Sequence, residues 1–194
     1  MVRSSKPIRD FLDRVARALD NAPDPRSDIA ALLEALKPED FDLGARLPLS
    51  SREPIRQEEI FSSDGFSVGL FLIATGQKLP LHDHPRMTVW LKVLRGTLRV
   101  RSYDWVEKEP RGGWVQLTSD LHVDPETEPQ ILRADHGNLH EIRAVEDAAF
   151  LDLFSPYYSP DRPCSYYRPR PGATTNDGQR LWLDKVPEDL AWGL

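Results

Sequence analysis

The chain has 194 residues, a formal net charge of −6 at pH 7 and a single cysteine. That length supports one domain with a real hydrophobic core. The acidic balance argues against a nucleic-acid surface, and no apolar run approaches the roughly 20 residues a membrane-spanning helix needs.

The lone thiol, Cys164, cannot form an internal disulfide, so a reducing compartment is expected: the cytoplasm, with the nucleus also open. Basic residues within Met1–Asp10 are followed by no apolar core, so no secretory signal is expected there.

Ile8, Phe11, Leu12, Val15 and Leu19 recur at three- and four-residue steps, which predicts an amphipathic helix over 7–20. Ala22-Pro23-Asp24-Pro25 breaks it. Ser27 is placed to cap a second helix carrying Ile29, Leu32, Leu33 and Leu36 and stopping near Pro38. Residues 1–38 thus read as a helical annex packed on one domain spanning 1–194. Residues 39–58, polar and interrupted by Pro48 and Pro54, read as an irregular crossing.

From Phe66 the period changes. Val68, Leu70, Leu72 and Ala74 alternate with Phe71 and Ile73, the pattern of a strand apolar on both faces and therefore buried. Strands are expected at 87–94 and 97–106, turned at Arg95-Gly96 into a hairpin whose outer face carries Arg99 and Arg101. A polar loop at 107–113 follows, then strands at 114–118, 130–134 and 147–154. Residues 168–178 read as mobile, and 181–194 fold back through Trp182 and Trp192. Short strands with turn signals after two helices argue for a barrel or jelly roll.

At the head of the expected hairpin stands Leu81-His82-Asp83-His84-Pro85. Alternate strand residues project to one face, so His82 and His84 can share one metal ion. Three further histidines compete to be a third ligand. His122 sits in an acidic, proline-bounded loop and His136 in the turn Asp135-His136-Gly137-Asn138. His140 stands where that turn enters Leu139-His140-Glu141-Ile142, a position pointing inward, and is the best placed. Three neutral ligands leave the ion its full charge and open positions for an anionic ligand such as a thiolate, with O2 beside it. Iron oxygenases commonly pair two histidines with a carboxylate, and zinc also accepts three histidines plus water.

Asp152 lies in Phe150-Leu151-Asp152-Leu153-Phe154, between two phenylalanines on its own strand face. It either faces water from an edge strand or is a buried acid near the metal, where it must be paired or neutral. Ser155-Pro156-Tyr157-Tyr158-Ser159-Pro160 is a stiff connection able to lay a tyrosine hydroxyl over the cavity mouth. Cys164 and Tyr166, two apart, share a face if extended.

Four fragments in order, Leu79 to Val106, Asn138-Leu139-His140, Leu151 to Tyr158 and Cys164 to Arg168, resemble the thiol dioxygenases that include animal cysteamine dioxygenase and the plant cysteine oxidases. Pro80-Leu81-His82-Asp83-His84-Pro85 is similar to the family's metal strand, and Ser102-Tyr103-Asp104-Trp105-Val106 to its plant branch. The resemblance implies a mainly β cupin, a double-stranded β-helix, holding Fe(II) through His82, His84 and His140. It implies addition of O2 to the thiol of cysteamine, or of an N-terminal cysteine in a peptide or protein, giving a sulfinic acid. Oxidation of protein termini would couple the protein to oxygen sensing. Asp152 matches the family's active-site aspartate and Tyr158 its nearby tyrosine. Cys164 and Tyr166 match a pair associated with a thioether crosslink.

Two departures stand out. Arg86 replaces the glycine usual after His-Pro, and the segment from Val106 to His140 is short. A monomer is expected, with neither nucleic acid nor membrane as partner. The rival readings are a non-catalytic metal-binding cupin, or a zinc or nickel cupin enzyme acting on a sugar or polyphenol.

Overall fold

The computed structural model describes residues 5–50, 52–175 and 177–193. The expectations touching residues 1–4, 51, 176 and 194 lie, at those positions, outside the described residues.

Helix α1 (Lys6–Asn21) buries Ile8, Phe11 and Val15 along one stripe, and α2 (Arg26–Glu34) buries Ile29, Leu32 and Leu33. Ser27 does not cap α2, because the helix already starts at Arg26 behind Pro25. Short 3-10 turns at Pro38–Phe41 and Leu43–Ala45 carry the chain onward.

Eleven strands follow among the described residues: β1 (Ile55–Ser62), β2 (Ser67–Ile73), β3 (Lys78–Asp83), β4 (Thr88–Arg95), β5 (Leu98–Glu109), β6 (Gly112–Val123), β7 (Gln130–Leu132), β8 (Leu139–Ala144), β9 (Ala148–Ser155), β10 (Tyr166–Thr174) and β11 (Arg180–Val186). A last helical turn, α3, covers Glu188–Trp192. One sheet runs β1-β2-β9-β4-β7. The other runs β10-β11-β6-β5-β8-β3 and closes on itself where Tyr166 pairs with His82. This is the double-stranded β-helix, with the helices laid on the first sheet.

The interior strands of the first sheet, β2, β9 and β4, are buried on both faces, as the unbroken apolar run of β2 requires. Val68, Leu70, Leu72, Trp90, Leu151 and Leu153 face the helices. Phe71, Val89, Leu91, Val93 and Phe150 face the second sheet. Lys92 sits among the buried residues, its Nζ satisfied by Glu34 Oε2 at 2.9 Å and by the carbonyls of Pro125 and Thr127.

The expected hairpin of 87–94 with 97–106 does not exist. β4 pairs with β7 and β9, whereas β5 pairs with β6 and β8, so the turn at Gly96 crosses from one sheet to the other. Gly96 adopts φ 74°, and a Cβ there would lie 2.3 Å from Asp147 O. Only glycine fits so close a crossing. The hairpin lies one strand later, between β5 and β6: of the loop expected at 107–113 only Pro110-Arg111 turn, the rest being paired strand, and His122, expected in a loop, belongs to β6. Arg99 and Arg101 form the solvated face, paired with Asp120 and Glu141. Residues 168–174, expected to be mobile, belong to β10 and pair with β11, with a register break between Pro169 and Thr174 where proline cannot donate to the ladder.

Candidate metal centre

The two histidines end their own strand rather than head the next. β3 delivers His82, and His84 lies one residue beyond its end. β8, antiparallel to β3, sets His140 directly opposite His82. The three Nε2 atoms converge: His84 to His140 is 2.9 Å and His82 to His140 is 3.2 Å. Among the described residues these histidines form a group able to hold a metal ion, their ligand atoms all within 4.8 Å of one another. His122 and His136 lie elsewhere, His136 at the surface against Asp104.

The neighbouring hydrogen bonds decide the tautomers. His82 Nδ1 lies 2.8 Å from Pro80 O, a pure acceptor, so Nδ1 carries the proton and Nε2 is bare. Tyr158 Oη lies 2.5 Å from His84 Nδ1 and 3.2 Å from Asp83 O; with its proton donated to Asp83 O, it accepts from His84 Nδ1–H, which leaves that Nε2 bare too. With both bare, His140 can satisfy at most one of them with a proton, whereas one cation satisfies all three. A metal with ligand bonds of about 2.1 Å places nitrogens at right angles about 3.0 Å apart, which matches the His84–His140 and His82–His140 separations. Burial holds His82 below the usual imidazole value and His84 and His140 well below it, keeping the rings neutral and able to ligate.

Two residues hold these ligands that local sequence reading does not single out. Asn138 accepts His84 N–H at 3.0 Å and returns a bond to His84 O at 2.8 Å. Asp83, between the two ligands, points to the opposite side of β3. It accepts Ser165 N–H at 2.8 Å and Tyr167 O–H at 2.9 Å, tying the start of β10 to the metal strand. Their only signal in the sequence is a polar residue flanking a histidine.

A cavity of about 240 Å³ opens beside the histidines, lined by His82 and His84, and Asp152, Phe154, Tyr158, Cys164, Tyr166 and Trp192 are among its other walls. The edge-strand reading of Asp152 is overturned, because β9 is flanked by β2 and β4. The carboxyl is 2 % exposed, its Oδ1 is buried without a partner, and burial pushes its pKa up to about 8. It is therefore largely a neutral acid at pH 7. Tyr158 stays protonated, its value raised by burial. Cys164 is raised to about 11 by burial, so it remains a thiol and a poor competitor for the metal. Tyr166, also raised by burial, donates to Glu188 Oε1 at 3.1 Å and so ties α3 to the cavity rim.

The sequence matches the family described as PCO_ADO over residues 32–192. The chain belongs to this family. It is 32% identical over 209 aligned residues to 2-aminoethanethiol dioxygenase of Homo sapiens, covering 86% of this chain and 76% of that protein. It is 31% identical to plant cysteine oxidase 1 of Arabidopsis thaliana, covering 87% of this chain and 64% of the plant protein. A probable 2-aminoethanethiol dioxygenase of Dictyostelium discoideum is 28% identical over 66% of this chain and 65% of its own length. Membership in the PCO_ADO family and the three-histidine centre together identify a metal-dependent thiol dioxygenase. Among the described residues no helix is long and apolar enough to cross a membrane.

Proposed function

We propose that the chain uses Fe(II), held by His82, His84 and His140, to convert the thiol of an N-terminal cysteine, or of cysteamine, to a sulfinic acid with O2. The observation that carries this reading is Asp152: a buried, unpartnered acid on the wall of a cavity that is also lined by His82 and His84 of the three-histidine group. An aminothiol has one group for each end. Sulfur suits the metal and the amine suits the acid.

The reaction, R–SH + O2 giving R–SO2H, needs no further reductant. Both oxygen atoms go to sulfur, which loses the four electrons that oxygen gains. The iron, when bound, supplies the Lewis acidity that ionises the thiol and the electron transfer that ground-state oxygen requires. The rest falls to the chain. A neutral amine entering the cavity takes the proton of Asp152, and the resulting carboxylate and ammonium pair fixes the substrate. Tyr158 holds His84 in the tautomer that leaves Nε2 free. Cys164 and Tyr166 form the wall beneath α3; a thioether between them would register as loss of two hydrogens in the intact mass. A reducing cytoplasm keeps such substrates as thiols.

The test is to load anaerobically purified protein with Fe(II), offer cysteamine and a Cys-initiated peptide in parallel, admit O2 and weigh the products. A gain of two oxygens on sulfur is expected. No gain on either thiol, with iron verified in the protein, would favour a non-catalytic cupin.

A further inference from the structure

The metal cavity does not end at its mouth. A second, open groove of about 320 Å³ continues from it, and the two share Ile55, Pro80 and Trp192. β3 is the common floor: His82 and Pro80 line the cavity, Pro80 and Lys78 the groove. A substrate no larger than cysteamine has no use for this extension, whereas a chain leaving the metal site has to pass along it.

The charge in the groove is one-sided. Lys78 and Arg143 line it, and no carboxylate does. They are direct cross-strand partners on β3 and β8. Like charges in that register oppose sheet formation. Along the same surface the cost is relieved elsewhere: Arg99, which pairs with Arg143 in register, is bonded to Asp120, and Arg101 to Glu141. Lys78 and Arg143 have no such carboxylate. Arg143 donates only to Gly76 O at 3.2 Å, and Lys78 takes part in no ion pair among the described residues. With no carboxylate beside them among the described residues, both cations face what the groove receives.

We propose that the groove binds the segment downstream of an N-terminal cysteine and that Lys78 and Arg143 select substrates with acidic residues there. The proposal rests on the thiol-dioxygenase reading and narrows its substrate to a peptide. Lys78 lies four residues from His82, about 13 Å along a strand. An extended peptide with its first sulfur at the metal therefore presents roughly its third to fifth residue to the two cations. Gln77 at the edge of the groove offers an amide to the peptide backbone.

Three Cys-initiated decapeptides, identical except for Asp, Ser or Lys at positions three to five, would be compared by kcat/KM on the Fe(II)-loaded full chain. A Ser-initiated version of each, which cannot be oxidised, would be titrated by tryptophan fluorescence, using Trp192 at the rim. Two partly solvated ion pairs predict about a tenfold advantage of the Asp over the Lys peptide in kcat/KM and in affinity, shrinking with salt. The doubly reversed variant K78E/R143E should invert both rankings. Ratios within one protein are independent of its metal loading, so partial loading of the variant cannot mimic inversion. Equal rankings, or a ranking that K78E/R143E leaves unchanged, would overturn the groove assignment while leaving thiol oxidation standing. Turnover of cysteamine with none of any peptide would overturn it as well. If no thiol is oxidised the catalytic reading fails, and the fluorescence titration still decides the groove.

Discussion

The neutral state of Asp152 has a consequence that stability measurements can read without any turnover. An aspartate has a value of 3.8 when unperturbed, and burial lifts this one to about 8. A carboxyl whose folded value exceeds its unfolded value is best accommodated below the unfolded value. Its contribution to stability is then lost as pH rises from there through the folded value. At about 1.4 kcal/mol for each of the roughly four pH units between, the loss by pH 8 has an upper bound of about 5.5 kcal/mol, which relaxation and water reduce. Asparagine copies the protonated acid and cannot ionise. Asp152→Asn in metal-free protein should therefore match the parent within about 1 kcal/mol near pH 4.5 and exceed it by several kcal/mol near pH 8. The three buried imidazoles, whose values burial lowers, pull the other way: their contribution is lost as pH falls. They are common to both proteins and cancel in the difference. Urea unfolding at pH 4.5, 6 and 8, after removal of metal by chelation, measures it. A difference that stays flat across this range would mean that Asp152 is solvated or ion-paired, and its proposed part in binding the amine would go with it. In the metal-loaded protein the same variant should keep its iron and lose most turnover.

Replacing His140 or His82 by Ala should abolish both iron content and thiol-dependent oxygen consumption; full metal occupancy in either variant would contradict the three-nitrogen centre. Asn138→Ala removes both bonds that clamp the His84 backbone and should weaken metal affinity about 10- to 100-fold in a chelator competition. An unchanged affinity would show that Tyr158 alone holds that ligand. Arg86 sits at φ 58° with its guanidinium on Asp161 O. Glycine removes the left-handed strain and alanine does not, so Arg86→Gly should be more stable than Arg86→Ala by about 1 kcal/mol. Equal melting temperatures for the two would place that backbone outside the left-handed region in solution.

The two departures expected from the sequence, Arg86 and the short stretch before His140, leave the centre intact. Arg86 lies beyond the second ligand and reaches the loop after β9 rather than the metal. The short stretch between β5 and β8 still contains a complete strand pair and delivers His140 to the same register.

Local periodicity was enough to find the two helices, the doubly buried β2 and the pairing of His82 with His84 on one side, because helix stripes and strand alternation are properties of adjacent residues. The choice of His140 was also legible, since a strand start leaves few directions for a side chain. Periodicity says nothing about which strands become neighbours. Thr88–Arg95 and Leu98–Glu109 read as a hairpin because they are consecutive and alternate well, yet Gly96 lets the chain cross between sheets, and long-range pairing with β9 and β8 prevails. For the same reason Asp152 was ambiguous in the sequence: only its position between β2 and β4 makes it buried and neutral. The unpaired Lys78 and Arg143 became visible only once β3 lay against β8. Side-chain direction is set over two or three residues, whereas burial, pairing and charge balance are set by segments tens of residues apart, and only closure of the two sheets decides them.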